Sequence, residues 1–391
     1  MATRILIYTH AFPPKVGGVE TVVVSLASGL SRFGGADGTA SVKVTVVTPT
    51  PCDGFSDASL PFCVVRRPSV MHLIRLIRTA DVVHLAGPCS LPLLFGLVLR
   101  RPVVVEHHGF QTICPNGQLL YERTGRLCPG HFMARRYGKC IRCNAKGGLL
   151  QSVKLCLATF PRRWLCSRVR TNIMPTAWLS GQLGLPRSTT VHHAVPRDSG
   201  SKDSTTFSVH STFAFVGRLV STKGIRTLLE ATQQLRSEGL FCRIKVIGDG
   251  PDRKTLQEQA ATLGLNGSVE WLGYVPADCI DGHLATAATI IVPSLAGEIF
   301  GMVAAENMAR GKVVIFSDLG AIREVVGNAG LSFMPGDAAA LARCMKWVLT
   351  NPALADQLGH KARTRASTEF DATCMLRRHL DVYCKVAARD N

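Results

Sequence analysis

Two carboxylates eight residues apart follow an apolar run in the second half of the chain. The run is Thr289-Ile-Ile-Val-Pro293, its turn is Ser294-Leu-Ala-Gly297, and the carboxylates are Glu298 and Glu306. Since such a run is typical of a buried parallel strand and residues 302–310 are typical of a helix, we expect Glu298 on a strand-to-helix loop. Glu306 lies further along that helix, whose first amides can meet a negative charge. The loop therefore suits a phosphorylated sugar, and two solvated helix carboxylates are the alternative interpretation.

Two cationic side chains follow an earlier strand of the same half. The predicted strand 213–216 ends in Gly217-Arg218, and Lys223-Gly224 comes five residues later, just before a predicted helix. Arg218 offers a planar fork for two phosphate oxygens, and Lys223 adds a compact second charge. Glycines on both sides imply a close approach of the backbone. The loop is therefore predicted to neutralise the leaving diphosphate of a nucleotide-sugar, and solvated surface charge is the alternative.

Apolar runs alternate with helical patterns, such as residues 20–33, along the whole chain. A polar joint rich in Gly and Ser separates the two halves at 196–204. The sequence therefore predicts an α/β protein of two doubly wound sheets hinged at about residue 200. The predicted strands are 5–8, 42–47, 82–85, 103–106 and 190–193 in the first half, and 213–216, 244–247, 290–292 and 313–316 in the second.

Length and composition narrow the class of protein. With 391 residues, 46% of them apolar, the chain has enough material for two cores. Its longest apolar stretches are interrupted by Arg100, Arg101 and Pro102, so none reaches the roughly 20 residues that span a bilayer. Residues 1–8 run straight into a strand without a signal-peptide pattern. We therefore expect a cytoplasmic protein.

The net charge of +18 is concentrated in the first half of the chain. Residues 1–200 contain 24 Lys and Arg against 8 Asp and Glu, whereas residues 201–391 contain 21 against 19. Such a field favours an anionic partner. Nucleic acid is disfavoured because only 6% of the residues are aromatic and no rings alternate with basic residues. Residues 147–170 mix leucines, Phe160 and Trp164 with Lys and Arg, which favours peripheral binding to an anionic membrane surface; an ordinary helix with a basic outer face is the alternative.

Three segments of the second half together resemble the donor half of retaining glycosyltransferases of family 4. They are Gly217-Arg218 with Lys223, then Gly248-Asp249-Gly250-Pro251, and then 272–275 and Pro293-Ser294 with Glu298 to Glu306. Residues 317–327, Gly330 and 335–337 are similar to that family too. The first half is similar more loosely, at Pro13-Pro14, at 17–20 and at His108-Gly109. The chain departs from the family pattern at Ala321, where Gly is usual, and at His193-Ala194-Val195, where Asn-Gly-Val is common.

The resemblance implies the GT-B fold, in which two doubly wound Rossmann-like domains face a central cleft. Residues 1–199 would form the acceptor-side domain, with a cysteine-rich insert at 110–146. Residues 200–211 would be a linker, and residues 212–372 would bind the nucleotide-sugar donor. Residues 373–391 are predicted to form a C-terminal helix that packs back on the first domain.

The resemblance also implies a role for each matching residue. Arg218 and Lys223 would hold the diphosphate, Glu306 the ribose hydroxyls and Glu298 the hydroxyls of the donor sugar. His108 would lie beside the anomeric centre, with a buried hydrogen-bonded histidine as the alternative, whereas His107 is predicted to be structural. The implied catalytic residues are Glu298, His108, Arg218 and Lys223. The implied donor-binding residues are Gly18, Gly217, Arg218, Lys223, Gly248, Tyr274, Glu298, Phe300, Gly301, Met302 and Glu306.

The implied activity is retaining transfer of a sugar from a UDP- or GDP-sugar to a glycan, lipid-linked or other acceptor, as in polysaccharide biosynthesis. Because Arg218 and Lys223 supply positive charge and the sequence has no Asp-x-Asp, no divalent metal is expected in catalysis. Two alternatives stay open: a catalytically degenerate GT-B relative that acts as a membrane-associated binding protein, and an NDP-sugar epimerase. A degenerate relative is expected to have lost one of Arg218, Lys223, Glu298 and Glu306, and all four are present.

Four of the fourteen cysteines fall close together, at Cys114, Cys128, Cys140 and Cys143. The surrounding segment, about thirty-five residues long, has hardly any apolar period and is expected to lack secondary structure. It therefore needs a cross-link such as a metal ion or a disulfide. Four thiolates at this spacing suit a tetrahedral structural zinc ion, and a reducing cytosol disfavours disulfides. An iron–sulfur cluster and unligated or oxidised thiols are the alternatives.

Overall fold

The structure, a computed structural model, describes residues 3–33, 42–195 and 211–388. The predicted joint at 196–204, and all but the last residue of the predicted linker, lie outside the described residues. The chain divides into two compact units. The first consists of Met1–Leu119, Pro129–Ala194 and Ala372–Asn391, and the second of Leu120–Cys128 and Val195–Asp371.

A seven-stranded parallel sheet in the order β3-β2-β1-β4-β5-β8-β9 forms the centre of the first unit. Strands are numbered along the chain: β1 (Thr3–Thr9), β2 (Val42–Thr48), β3 (Cys63–Arg66), β4 (Val82–Ala86), β5 (Val103–Glu106), β8 (Thr171–Met174) and β9 (Ser188–Thr190). Every residue of β4 and β5 is buried, as continuous apolar runs in a parallel sheet require.

Four of the five strands predicted in the first half are confirmed, and the strand predicted at 190–193 is wrong. That sheet strand ends at Thr190, and the buried Val191, His193 and Ala194 belong to a loop. Strand β8 was missed because its sequence, Thr-Asn-Ile-Met, is short and half polar. The buried Asn172 in it donates to the carbonyls of Cys166 and Pro186 at 3.0 and 2.9 Å, which satisfies the amide in the core.

Helices cover the sheet of the first unit. They are α1 (Gly18–Phe33), α2 (Val70–Thr79), α3 (Ser90–Val98), α4 (Tyr137–Cys143), α5 (Leu149–Cys166), α6 (Ala177–Leu183) and the C-terminal α14 (Ala372–Ala387), with 3-10 turns at Asp57–Ser59 and Ala145–Gly147. Helix α14 packs against α1 and β4. Its buried Met375, Val382 and Tyr383 share one core with Ile5 and Leu26.

The cysteine-rich insert has more structure than its sequence predicts. It contains a two-stranded antiparallel hairpin, β6 (Leu120–Tyr121) with β7 (Arg126–Leu127), and Cys140 and Cys143 lie on helix α4. The expectation of a segment without secondary structure or apolar packing is therefore wrong. Phe132, Tyr137 and Phe160 form an aromatic cluster with ring centroids 4.9 to 5.4 Å apart. These rings stand too far apart in the sequence to produce an apolar period.

A six-stranded parallel sheet in the order β12-β11-β10-β13-β14-β15 forms the centre of the second unit. Its strands are β10 (Thr212–Val216), β11 (Arg243–Ile247), β12 (Val269–Gly273), β13 (Thr289–Val292), β14 (Val313–Ser317) and β15 (Leu331–Phe333). All four strands predicted in this half are confirmed; β12 and β15 were missed. Both lie at the edges of the sheet, where exposed positions interrupt the apolar run.

The helices of the second unit follow these strands and build a core on each face of the sheet. They are α7 (Ile225–Ser237), α8 (Arg253–Thr262), α9 (Ile280–Leu284), α10 (Met302–Ala309), α11 (Gly320–Val326), α12 (Ala338–Thr350) and α13 (Pro352–Glu369), with a 3-10 turn at Ser221–Lys223. The helix predicted at 302–310 is confirmed as α10. Strand-to-helix loops therefore stand at the carboxyl edge of this sheet, where open α/β sheets bind their ligands.

Candidate functional site

The loops after β10, β11, β12 and β13 are hydrogen-bonded to one another through their backbones. The Leu219 amide donates to the Asp249 carbonyl at 3.0 Å, and the Gly248 amide donates to the Gly273 carbonyl at 2.7 Å. The Leu295 amide donates to the Thr222 carbonyl at 2.7 Å. These bonds join segments that are far apart in the sequence into one continuous edge.

Glycines permit this close packing of loops. A Cβ on Gly224, whose φ is +67°, would lie 1.9 Å from the carbonyl oxygen of Pro293. A Cβ on Gly248, whose φ is +134°, would lie 2.0 Å from the carbonyl oxygen of Gly217. Both positions therefore exclude side chains on two grounds, the backbone conformation and the contact. The close backbone approach expected at Gly217 and Gly224 is an approach to neighbouring loops.

An ion pair lies across the loops after β10 and β13. The Lys223 ammonium donates to Oε1 of Glu298 at 2.5 Å, and the Ser294 hydroxyl donates to the same oxygen at 2.7 Å. The Glu298 side chain is only 11% exposed. Burial raises the pKa of Glu298, but the charge and hydrogen bond of Lys223, together with Ser294, outweigh it and hold the pKa below its ordinary value. Glu298 is therefore an ionised acceptor at neutral pH.

Helix α10 begins directly after this ion pair. Gly301, with φ of +91°, precedes its first residue, Met302. The Phe300 side chain is buried in the core against Phe370, with ring centroids 5.3 Å apart, so only the backbone of Phe300 can face a ligand. Glu306 is half-buried in the second turn of α10, where burial raises its pKa and the charge of Arg310 partly offsets that rise.

The other predicted donor residues of the second unit differ in exposure. Arg218 and Tyr274 are exposed, in the loops after β10 and β12. Gly217 and Gly248 lie where the loops after β10 and β11 meet. The neighbouring Asp249 accepts from the Gly250 amide at 2.7 Å and pairs with Arg253 at 3.0 Å, as in a tight turn. The structure thus brings Lys223, Glu298 and the start of α10 together.

Gly18 and His108 belong to the first unit. Gly18 is exposed at the first position of α1. The side chain of His108 is 5% exposed, and its Nε2 lies 3.7 Å from Oε2 of Glu106. The ring of His108 stacks on that of His193 with centroids 5.3 Å apart. His108 is thus a largely buried histidine beside a carboxylate.

Glu106, at the end of β5, is completely buried and surrounded by imidazoles, a group we name the Glu106 cluster. Nε2 of His84 lies 3.2 Å and Nε2 of His379 lies 3.7 Å from its Oε2, and Nδ1 of His193 lies 3.5 Å from its Oε1. With His108 and Tyr383, these residues come from β4, β5, α14 and two loops. Tyr383 is hydrogen-bonded to Nδ1 of His84 at 2.9 Å, and Nδ1 of His379 lies 2.9 Å from the Met375 carbonyl.

The Glu106 cluster has strongly perturbed protonation. Burial raises the pKa of Glu106, but the surrounding histidines outweigh it and hold the pKa well below its ordinary value. Burial lowers the pKa of His84 and His108, and that of His193 to about 3. Sequence reasoning missed Glu106, although one signal was present: a lone carboxylate ends the apolar run Val-Val-Val and precedes two histidines.

His107 is separate from this cluster. Its Nε2 is hydrogen-bonded to Oδ1 of the buried Asn172 at 2.9 Å, which joins the end of β5 to β8. Burial lowers the pKa of His107 to about 4. The contact has the structural character predicted for this residue.

The four cysteines predicted to hold zinc differ in burial. Cys114, Cys140 and Cys143 are buried and Cys128 is half-buried. Within residues 3–33, 42–195 and 211–388, no group of three or more His, Cys, Asp or Glu is placed to hold a metal ion, the Glu106 cluster included. The predicted zinc site therefore has no support among the described residues and stays a prediction. Zinc was expected to hold the insert together in place of an apolar core, and the aromatic cluster provides such packing.

Part of the second unit is similar to a known protein family. Residues 201–365 match the family model described as glycosyl transferases group 1. Over this part of its length the chain is therefore similar to that family. The chain is similar to 2-deoxystreptamine glucosyltransferase of Streptomyces kanamyceticus, with 33% identity over 141 residues, 36% of each chain. It thus spans about a third of that curated relative's length.

Solved structures share the fold of the whole chain. The crystal structure of Anabaena HepE in complex with UDP and glucose has a TM-score of 0.73 at 17% identity, covering 98% of this chain and 100% of HepE. Sucrose-phosphate synthase from Thermosynechococcus elongatus has a TM-score of 0.74 at 18% identity, covering 99% and 100%. At these identities the likeness shows the fold. The predicted GT-B fold and the predicted glycosyltransferase resemblance are confirmed, whereas membership of family 4 stays a prediction.

The contact at Gly224 predicts a specific loss of stability. We expect Gly224→Ala to lower the free energy of unfolding by about 2 kcal/mol more than Gly239→Ala, because the methyl group would collide with the Pro293 carbonyl. Gly239 is a matched control: its φ is +79°, and a Cβ there meets nothing within 4 Å. Urea unfolding of both variants measures the difference, and equal losses would contradict the proposed packing of the loops.

Buried histidines predict acid sensitivity of the first unit. The pKa of His107 is lowered to about 4 and that of His193 to about 3, so each must take up a proton on unfolding once the pH falls below its unfolded value. Stability is therefore lost as the pH falls from about 6.5 towards those values, by about 2 kcal/mol per histidine at pH 5. Glu106 acts in the same direction at lower pH, because its folded pKa is depressed.

Hydrogen exchange of first-unit peptides in urea, measured between pH 7 and 5, tests this expectation. His193→Asn should flatten the pH dependence, whereas the exposed His72→Asn should leave it unchanged. A stability of the first unit that does not change over this pH range would contradict the assignment of buried neutral histidines.

Proposed function

We propose that the protein is a retaining glycosyltransferase that moves a sugar from a UDP- or GDP-sugar to a glycan, lipid-linked or other acceptor. The observation that carries the proposal is the Lys223–Glu298 ion pair, with Ser294, directly before α10 in the part of the chain that matches the group 1 family model. An ionised carboxylate and a cation at the carboxyl edge of a parallel sheet suit a ligand with both hydroxyls and phosphates.

The diphosphate is proposed to meet Arg218, Lys223 and the start of α10. Arg218 is exposed on the loop after β10, so its guanidinium can bind two phosphate oxygens. The amides of the first turn of α10 add partial positive charge. These groups would stabilise the negative charge that develops as the nucleoside diphosphate leaves. With cations supplying this charge, the proposed chemistry needs no divalent metal ion.

The donor sugar is proposed to lie against Glu298. Because Lys223 and Ser294 keep Glu298 ionised, its carboxylate can accept hydrogen bonds from sugar hydroxyls. Glu306, further along α10, is proposed to accept from the ribose hydroxyls. His108 is proposed to lie beside the anomeric centre, and its stacking on His193 and the proximity of Glu106 hold its ring in position.

Known relatives support this choice of donor. The name of the Streptomyces kanamyceticus relative specifies a glucosyltransferase, and the HepE structure contains UDP and glucose. A nucleotide-sugar with UDP is therefore the first candidate for this chain. A degenerate binding protein and an epimerase remain the alternatives, and neither is favoured by a feature of the described site.

Arg218→Ala tests the proposed diphosphate contact. We expect it to weaken donor binding by about tenfold to a hundredfold, because a charge-assisted hydrogen bond contributes about 1.5–3 kcal/mol. Turnover should fall as well, since charge develops at the same phosphate. Titration of the wild type and variant against a panel of UDP- and GDP-sugars measures the change.

Arg226→Ala is the matched control, since Arg226 is an exposed arginine on α7 of the same unit. It should leave both affinity and turnover unchanged. If Arg218→Ala binds every accepted donor as tightly as the wild type, Arg218 does not hold the diphosphate.

A further inference from the structure

Exposed apolar side chains are concentrated on three helices of the first unit. Among the described residues, seventeen large apolar side chains are exposed, and ten of them lie on α2, α3 and α5. A random scatter would need no explanation, but such a concentration marks an interaction surface. The ten are Val70, Met71, Leu91, Leu94, Val98, Leu149, Leu150, Leu157, Phe160 and Trp164; we name their surface the α2–α3–α5 face.

The three helices form a continuous row. Helix α3 contacts α2 and also contacts α5. On α3 the exposed Leu91, Leu94 and Val98 recur three and four residues apart, so they form one stripe along the helix. On α5 the exposed Leu157 and Trp164 recur seven residues apart and share a face in the same way. The exposed apolar side chains thus lie on a row of three helices, each in contact with the next.

The charged side chains of the three helices are all basic. None of α2, α3 and α5 contains an Asp or Glu. Arg75 and Arg78 are exposed on α2, and Lys154 is exposed on α5. The guanidinium of the exposed Arg168, just after α5, lies over the Trp164 ring, 5.1 Å from its centroid. Such a mixture of leucine, tryptophan and basic side chains without acids suits the boundary between lipid headgroups and acyl chains.

We propose that the α2–α3–α5 face docks the protein on an anionic lipid surface. The apolar stripes would enter the headgroup boundary, and the basic side chains would meet lipid phosphates. Such docking requires no segment that spans the membrane. No helix of the described chain is long and apolar enough to cross a bilayer. The sequence pattern at 147–170 predicted only the α5 part of this surface, and the structure adds α2 and α3.

This proposal goes beyond the proposed sugar transfer and does not depend on it. Every residue of the face belongs to the first unit, and none is among the proposed donor-binding residues. Lipid binding can therefore be measured without a nucleotide. Failure of the docking proposal would leave the proposed donor chemistry intact, and the reverse also holds.

Co-sedimentation of the full chain with vesicles tests the proposal. Vesicles of phosphatidylcholine alone are compared with vesicles that contain about a third phosphatidylglycerol, at about 0.1 M and 0.5 M salt. The wild type should bind the anionic vesicles at the lower salt concentration, and binding should weaken as salt rises. Lys154→Gln with Arg168→Gln should weaken binding by about fivefold for each charge removed. Leu150→Ser with Leu157→Ser should weaken it by at least about tenfold.

Phe241→Ser is the matched control, since Phe241 is as exposed as these leucines but lies in the second unit. It should bind vesicles like the wild type, and thermal unfolding should confirm that every variant is folded. Equal binding to neutral and anionic vesicles, or equal losses in Phe241→Ser and the leucine variant, would overturn the proposal. A wild type that is dimeric without lipid, with a monomeric leucine variant, would assign the face to a second copy of the chain instead.

Discussion

An ionised carboxylate in a mostly buried position is the constraint on which the candidate site depends. Glu298 is charged because Lys223 and Ser294 both donate to its Oε1, which compensates for the loss of water around it. Lys223 and Glu298 are 75 residues apart in the chain. Their ion pair therefore requires the backbones of the loops after β10 and β13 to be in contact. Gly224 permits this, since any side chain there would collide with Pro293.

The first unit also contains a buried carboxylate, but different groups surround it. Among the described residues, the groups that pair with the buried Glu106 are the imidazoles of His84, His108, His193 and His379, with no lysine or arginine. Because α14 supplies His379 and Tyr383, the C-terminal helix helps to enclose a carboxylate that ends β5. A polar cluster and the apolar core around Ile5 and Leu26 thus hold the same helix.

Features with a local cause were predictable from the sequence. Apolar runs such as 103–106 and 313–316 predicted central parallel strands, and the glycines beside Arg218 and Lys223 predicted close backbone approach. Features that depend on long-range packing were not predictable. The amide of Asn172 is satisfied by carbonyls from two other segments, so β8 has no apolar run that would reveal it. The aromatic cluster of the insert joins Phe132 to Phe160, whose spacing follows no helical or strand period.

Stereochemistry of the transferred sugar tests the central claim most directly. Incubation with UDP- and GDP-sugars, with methanol as a small acceptor, should release the nucleoside diphosphate from at least one donor. Proton NMR of the methyl glycoside then gives its anomeric configuration, which cannot change by mutarotation. We expect the wild type to form a methyl glycoside with the configuration of the donor, and Glu298→Gln to form none. A product of inverted configuration, or no release of diphosphate from any donor, would contradict it.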